Sequence, residues 1–271
     1  MENRSVAVLI AVCSKDNPAY FKLALESVID QDTDAEIRVF LGIDGEITEE
    51  HRSVINELRP RIHMIIQNQN NDGLSVVLNE LIGKLSDESY VFRMDADDIS
   101  LRERFQTQIE YMDAHLNVDV CGAAIIETDF IDYSKIITYP SGHDQIRSVI
   151  HRRNPIAHPT VCFRRDVLLN ERYPIEYKVN QDIALWGVLM QKGYIFANLR
   201  EPLVLYRCND LHVKRSRLEV STTELQIYKD IIKRLKLNPI LIVFPYLRYY
   251  FRLLPAVLQK KIYQSFLRSR I

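Results

Sequence analysis

From Ser5 to about Leu116 short apolar runs alternate with helical patterns, and that alternation confines the chain to a parallel sheet joined by right-handed crossovers. "SVAVLIAV" reads as a first buried strand, since it is too short for a signal peptide's layout. In "NPAYFKLALESVIDQ", Asn17 caps a helix, Pro18 suits its first position, and Phe21, Ala24, Leu25 and Val28 share one face. "EIRVFLGIDG" is a second strand followed by the helix "EEHRSVINELR", and "RIHMIIQ" is a third. The helix "LSVVLNELIGKL" carries Leu74, Val77, Leu78 and Leu81 on one face, with Asn79 placed to hold a neighbouring loop. "SYVFRM" is the fourth strand, and Ser100 with Glu103 reads as a capping box opening a helix that bears Leu101, Phe105, Ile109 and Met112.

Beyond residue 116 the alternation loosens. "VDVCGAAIIETDFI", "PTVCFRR" and "EPLVLYR" read as strands, and "QDIALWGVLMQKG" as a helix stopped by Gly193. No repeat or low-complexity linker interrupts residues 1–212, which read as one α/β domain. Residues 213–271 read as a helical extension with Leu225, Tyr228, Ile231, Ile232 and Leu235 on one stripe, then an apolar stretch broken by Pro239, Pro245 and Pro255.

Ligands of such sheets bind beyond the carboxyl ends of the strands. Asp44 follows the second strand there, and "RMDADDIS" sets Asp95, Asp97 and Asp98 after the fourth. Like charges so crowded need a cation to answer them. Three carboxylates at a strand end suit Mg²⁺ or Mn²⁺, hard ions that also grip a diphosphate. A solvated, helix-capping acidic loop is the plainer alternative. A phosphatase-type D-x-D belongs after a first strand, and a calcium loop needs a glycine and a distal glutamate missing here.

Charge and cysteine usage narrow the setting. The net charge is −1, but from Lys214 onward there are thirteen Lys or Arg against three acids, an excess of ten cations that leaves the preceding part at −11. An acidic body with a basic, aromatic tail points the tail toward an anionic partner. The four cysteines are scattered with no C-x-x-C pair, as expected of reduced thiols. No apolar run is long enough to cross a bilayer.

The ordered series "SVAVLIAVCSKD", "LGIDG", "NDGLSVVLNELI", "RMDADDIS", "HPTVCFRR", "QDIALW" and "EPLVLYR" resembles a family-two glycosyltransferase of the GT-A fold, over roughly residues 5–212. It is most similar to bacterial members that build O-antigen, capsule or exopolysaccharide. The resemblance implies a Rossmann-like mixed sheet flanked by helices. It implies that Asp44 contacts the nucleotide base, Asp95 the ribose or uridine side, and Asp97 the divalent metal and diphosphate. Asp182 becomes the catalytic base of an inverting transfer from a nucleotide-diphosphate sugar, UDP-linked, of a hexose or N-acetylhexosamine. The acceptor implied is a saccharide on a polyprenyl diphosphate at the cytoplasmic face of the inner membrane, where the enzyme is peripheral. Two departures stand out. Gln181 replaces the acid that usually precedes the base, and Cys13-Ser14-Lys15 replaces an aromatic and Asn in the first loop.

The chemistry accounts for the residue types. A metal at Asp97 would stabilise the departing pyrophosphate as a Lewis acid. A carboxylate must take the proton of the attacking hydroxyl. Asp182 at a helix start should stay ionised through the helix dipole. Trp186, one turn on, either stacks on the acceptor sugar or fills the core. His158, before Pro159, should shape the acceptor side. Arg207, His212 and Lys214 follow the last strand and could close over the diphosphate, with His212 as an extra metal ligand. The tail either lies in an anionic membrane interface or packs back on the domain. A nucleotidyltransferase would show glycines in the first loop, and a nucleic-acid-binding protein would leave the acidic loop unexplained, so nucleic acid is not an expected partner.

Overall fold

The computed structural model describes residues 4–208 and 218–254. Its first half follows the alternation: β1 (Ser5–Val12), α1 (Pro18–Ile29), β2 (Glu36–Asp44), α2 (Glu49–Leu58), β3 (Met64–Asn68), α3 (Leu74–Ile82) and β4 (Tyr90–Met94). These strands pair in parallel in the order β3-β2-β1-β4. The Asn17 side chain accepts from the amides of Ala19 at 2.9 Å and Tyr20 at 3.3 Å, which starts α1 as the sequence implied. Along β1 the pleat sorts Val6, Val8 and Ile10 to the core beneath α1 and α2, and Ala7 and Leu9 to the core beneath α3. Gly42 permits close docking of α3 on β2, because a Cβ there would sit 2.1 Å from Val77 Cγ1.

The second half turns the sheet mixed. It comprises β5 (Ile99–Ser100), α4 (Arg104–Ala114), β6 (Val120–Thr128), β7 (Ser134–Ile137), α5 (His143–Val149), β8 (Cys162–Arg164), α6 (Arg165–Asn170), α7 (Gln181–Gln191) and β9 (Phe196–Arg207). Strand β8 runs antiparallel beside β4 and β6, β9 runs parallel to β6, and β7 pairs with β6 as a hairpin. Gly193, at φ 92°, follows α7 as expected.

Two local expectations fail. Ser100 does not cap a helix; it lies in β5, where Ile99 and Ser100 pair with Leu205 and Val204. Its amide donates to Ser27 Oγ at 3.0 Å and its hydroxyl accepts from Gln31 at 3.1 Å. Leu101 likewise precedes the helix, donating to the Leu203 carbonyl, and α4 starts at Arg104 with Gln31 accepting from the Phe105 amide at 3.1 Å. A distant glutamine has replaced the local capping box.

The tail begins with α8 (Leu218–Arg234), packed on α7. Gly187 makes the approach possible, since a Cβ there would lie 2.7 Å from Ile231 Cγ1. Ile227, Tyr228, Ile231 and Leu235 are buried in the core cluster that holds Trp186, with Ile227 there in place of the expected Leu225, which is half-buried. Then α9 (Val243–Leu253) is tied to α8 by Arg248 and Arg252, both paired with Glu224.

Candidate active site

The crowd of acids after β4 is answered by two arginines that the sequence left unpaired with it. Arg93, buried in β4, reaches Asp95 Oδ1 with Nη2 at 2.5 Å and the Leu9 carbonyl with Nη1 at 3.2 Å. From β9, the Arg207 amide donates to Asp98 Oδ1 at 2.8 Å and its Nε to the Asp97 carbonyl at 2.9 Å. Its guanidinium carbon lies 3.6 Å from the ring centre of Tyr20 and 3.8 Å from that of Phe130. Arg207 is therefore buried between two rings and braces the acidic loop.

The compensation is incomplete. Asp98 is buried and its Oδ2 has no hydrogen-bond partner among the described residues. Burial, then the charges of Asp95 and Asp97, push its carboxyl well above the ordinary range. Asp97 is an exposed residue, yet protein crowds its carboxyl; that dehydration, then the charges of Asp95 and Asp16, push it up to about 6. An acid held back from ionising by its neighbours fits a divalent cation, which would relieve the repulsion. Among the described residues no group of three or more His, Cys, Asp or Glu forms a closed cage.

Asp44 is buried at the end of β2. Its Oδ1 accepts from the Asp72 amide at 2.8 Å and its Oδ2 from the Gly73 amide at 3.0 Å, so it fixes the loop leading into α3. Asn79 behaves as expected, exchanging two 2.8 Å bonds with the backbone of Tyr173.

Asp182 lies in the first turn of α7, after Asn180 in a left-handed conformation at φ 56°. The Asn154 amide donates to its Oδ2 at 2.5 Å. The expected dipole effect is overridden: burial raises its pKa, against the lowering by the Ile183 amide and Asn154, and Asp95 adds to the rise. Asp182 and Asp95 line the same cavity, of about 510 Å³, together with His158 and Tyr206. A larger recess of about 990 Å³, lined by Arg4, Asp34, Asp87 and Asp113, lies at the amino ends of β1 and β4, away from these acids.

Trp186 is not a stacking platform. It is fully buried, one turn beyond Asp182 on the inner face of α7, packed against His158, Phe163 and Phe196. Substrate has no access to its ring. His158 is also buried; it lines the cavity but shares a 2.9 Å hydrogen bond with the Tyr173 hydroxyl, and burial holds its pKa down to about 3. It is a neutral wall element. His212 and Lys214 lie outside the described residues. Arg93 and Asn154 went unnoticed in the sequence because a buried arginine and a loop asparagine carry no spacing signal.

Comparison with known structures shows the class of protein these elements define: the curled mixed sheet flanked by helices is the GT-A glycosyltransferase fold. S. aureus TarS 1–349 in complex with UDP-GlcNAc superposes with a TM-score of 0.66 at 15% identity, over 84% of this chain and 66% of that one. The mannosyltransferase PcManGT from Pyrobaculum calidifontis, in complex with GDP-Man and Mn²⁺, gives 0.65 at 14%, over 92% and 70%. The chain belongs to glycosyl transferase family 2, whose model matches residues 8–172. The amylovoran biosynthesis glycosyltransferase AmsE of Erwinia amylovora is 31% identical over 82% of this chain and 84% of its own. The Escherichia coli UDP-Gal:alpha-D-GlcNAc-diphosphoundecaprenol beta-1,3-galactosyltransferase is 29% identical over 77% and 76%. The protein is a glycosyltransferase with relatives in bacterial polysaccharide biosynthesis.

Proposed function

We propose that the protein transfers a sugar, with inversion, from a UDP-sugar to a hydroxyl of a saccharide carried on a polyprenyl diphosphate, during assembly of a surface polysaccharide. The observation that carries this reading is the presence of Asp95 and Asp182 in one cavity beneath the carboxyl ends of the strands. The relative acting on a diphosphoundecaprenol-linked sugar and the neighbour bound to UDP-GlcNAc support the choice of acceptor and donor.

Asp182 takes the proton of the acceptor hydroxyl as its oxygen bonds to the anomeric carbon, while the bond from that carbon to the diphosphate oxygen breaks and UDP leaves. Burial suits it to this role, because a carboxylate denied water is a stronger base. Asn154 holds its Oδ2 in place. Asp95, oriented by Arg93, faces the donor's ribose side, and Asp44 keeps the base-side loop in shape. Asp97 would hold Mn²⁺ or Mg²⁺, which supplies charge stabilisation to the departing diphosphate.

A membrane surface is the setting in which such an acceptor is met. Ile240, Val243, Phe244, Leu247 and Tyr250 are exposed along and just before α9, an apolar stripe suited to lying in a bilayer interface at the cytoplasmic face. No helix among the described residues is long and apolar enough to cross a membrane. The division into a catalytic part, 1–212, and a membrane-associating part, 213–271, follows from this reading, although α8 itself is bound into the catalytic core. A screen of nucleotide release over a panel of nucleotide sugars with a lipid-linked acceptor tests the proposal. Release from none of them, or only from guanosine or cytidine donors, overturns the UDP assignment.

A further inference from the structure

The cavity that holds Asp95 and Asp182 has a second, chemically opposite contribution. Arg153, from the loop after α5, and Arg248 and Arg252, from α9, also line it. Glu224 is the carboxylate that engages the latter two: Arg248 Nε at 3.2 Å from Oε1 and Arg252 Nη1 at 2.5 Å from Oε2. Arg248 is further fixed by donating Nη1 to the Arg152 carbonyl at 3.1 Å and lies over the Tyr228 ring at 5.9 Å. Arg153 is exposed, and its guanidinium makes no hydrogen bond or ion pair among the described residues. Three guanidinium groups thus gather at this part of the wall, two of them held by Glu224. They are carried by the tail and its neighbour, whereas the other acids of the wall, Asp95, Glu127 and Asp182, come from the loop after β4, from β6 and from the start of α7.

We infer that Arg153, Arg248 and Arg252 form the subsite for the diphosphate of the acceptor, so that the tail reads the acceptor's anchor and not the donor. This rests on the proposed lipid-linked acceptor and adds to it the residues that recognise the phosphate. Arginine forks match phosphate oxygens in pairs, and Glu224 pre-sets two of them so that little side-chain freedom is lost on binding. The donor's diphosphate belongs with Asp97, which is not among the residues lining this cavity. A second diphosphate therefore needs its own cations, and α9 supplies them. The same helix turns Val243, Leu247 and Tyr250 outward, where the isoprenyl chain leaves the headgroup for the bilayer.

The test uses the full chain saturated with UDP and Mn²⁺, titrated with farnesyl diphosphate, with farnesol, and with vesicles of phosphatidylglycerol. Farnesyl diphosphate should bind without displacing UDP, and farnesol should bind at least tenfold more weakly. R153Q, which breaks no contact within the fold, should weaken farnesyl diphosphate several-fold and R153Q/R248Q further, with UDP affinity and melting temperature unchanged in R153Q. No binding to the UDP-loaded protein, competition with UDP, or equal binding by R153Q/R248Q overturns the inference. Binding of the vesicles that is lost in R153Q/R248Q, with no binding of farnesyl diphosphate, also overturns it, by assigning the cations to bilayer headgroups. Failure of UDP itself to bind would instead strike the proposed donor.

Discussion

The Asn154 amide and the Asp182 carboxylate are hydrogen-bonded across 28 residues of sequence, joining the loop after α5 to the first turn of α7. The bond works against burial, lowering the pKa that dehydration raises. As the proposed base, Asp182 must be ionised to act, so activity should be lost as pH falls through its raised pKa. Asn154→Ala removes the lowering contact and should move the acid limb of kcat/KM to higher pH. Profiles of the two proteins check this; superimposed limbs would separate Asp182 from proton transfer.

Asp182→Asn preserves shape and removes basicity. Turnover should fall by about 100-fold or more, the usual scale for a lost general base. Donor binding measured by calorimetry should change little. Turnover within a few-fold of the parent would mean that another carboxylate is the base.

Asp97→Ala should abolish transfer and erase the effect of Mn²⁺ on UDP affinity. Calorimetric titrations with and without the metal decide it. A metal effect of unchanged size in the variant would remove Asp97 from the ion.

Asp98→Asn should raise the melting temperature at pH 7. The amide oxygen still accepts from the Arg207 amide, while the like-charge crowding disappears. Because the native pKa of Asp98 is raised above its unfolded value, the wild type is penalised as pH rises through that interval and relieved as it falls. The advantage of the variant should therefore shrink toward zero below about pH 4, near the unfolded carboxylate pKa. An equal gain at pH 4 and pH 7 would contradict the electrostatic account.

Leu247→Glu with Tyr250→Glu should stop sedimentation with anionic liposomes at low salt, since both side chains are exposed on α9. Unchanged sedimentation would place the membrane contact elsewhere.

The strands and helices of the first half were legible because their signals are local: a strand pleat, an Asn-Pro start, an i, i+4 face. The acid loop was legible for the same reason, as a motif written in consecutive residues. Ser100 misled because its capping pattern was overridden by pairing with Val204, a partner 104 residues on. Trp186 misled because one helical turn from Asp182 places a side chain near the site in sequence but says nothing of which way the helix faces. Asn154, the partner of Asp182, and the arginines that answer the acids depend on contacts between distant segments, which periodicity does not record.

Arg207 meets the acidic loop across 110 residues of chain. On the ribosome, therefore, the β1 to β4 sheet can assemble from its own crossovers while Asp97 and Asp98 still lack their brace. At an elongation rate of roughly 5–20 residues per second, that interval lasts about 5–20 seconds. A nascent chain in this state carries a finished hydrophobic sheet with a repelling, unfastened rim and β4 still missing β8 at its side. Order of synthesis makes the acid-bearing edge the last part of the sheet to close, and the point at which truncated or stalled chains would be most exposed to aggregation and proteolysis.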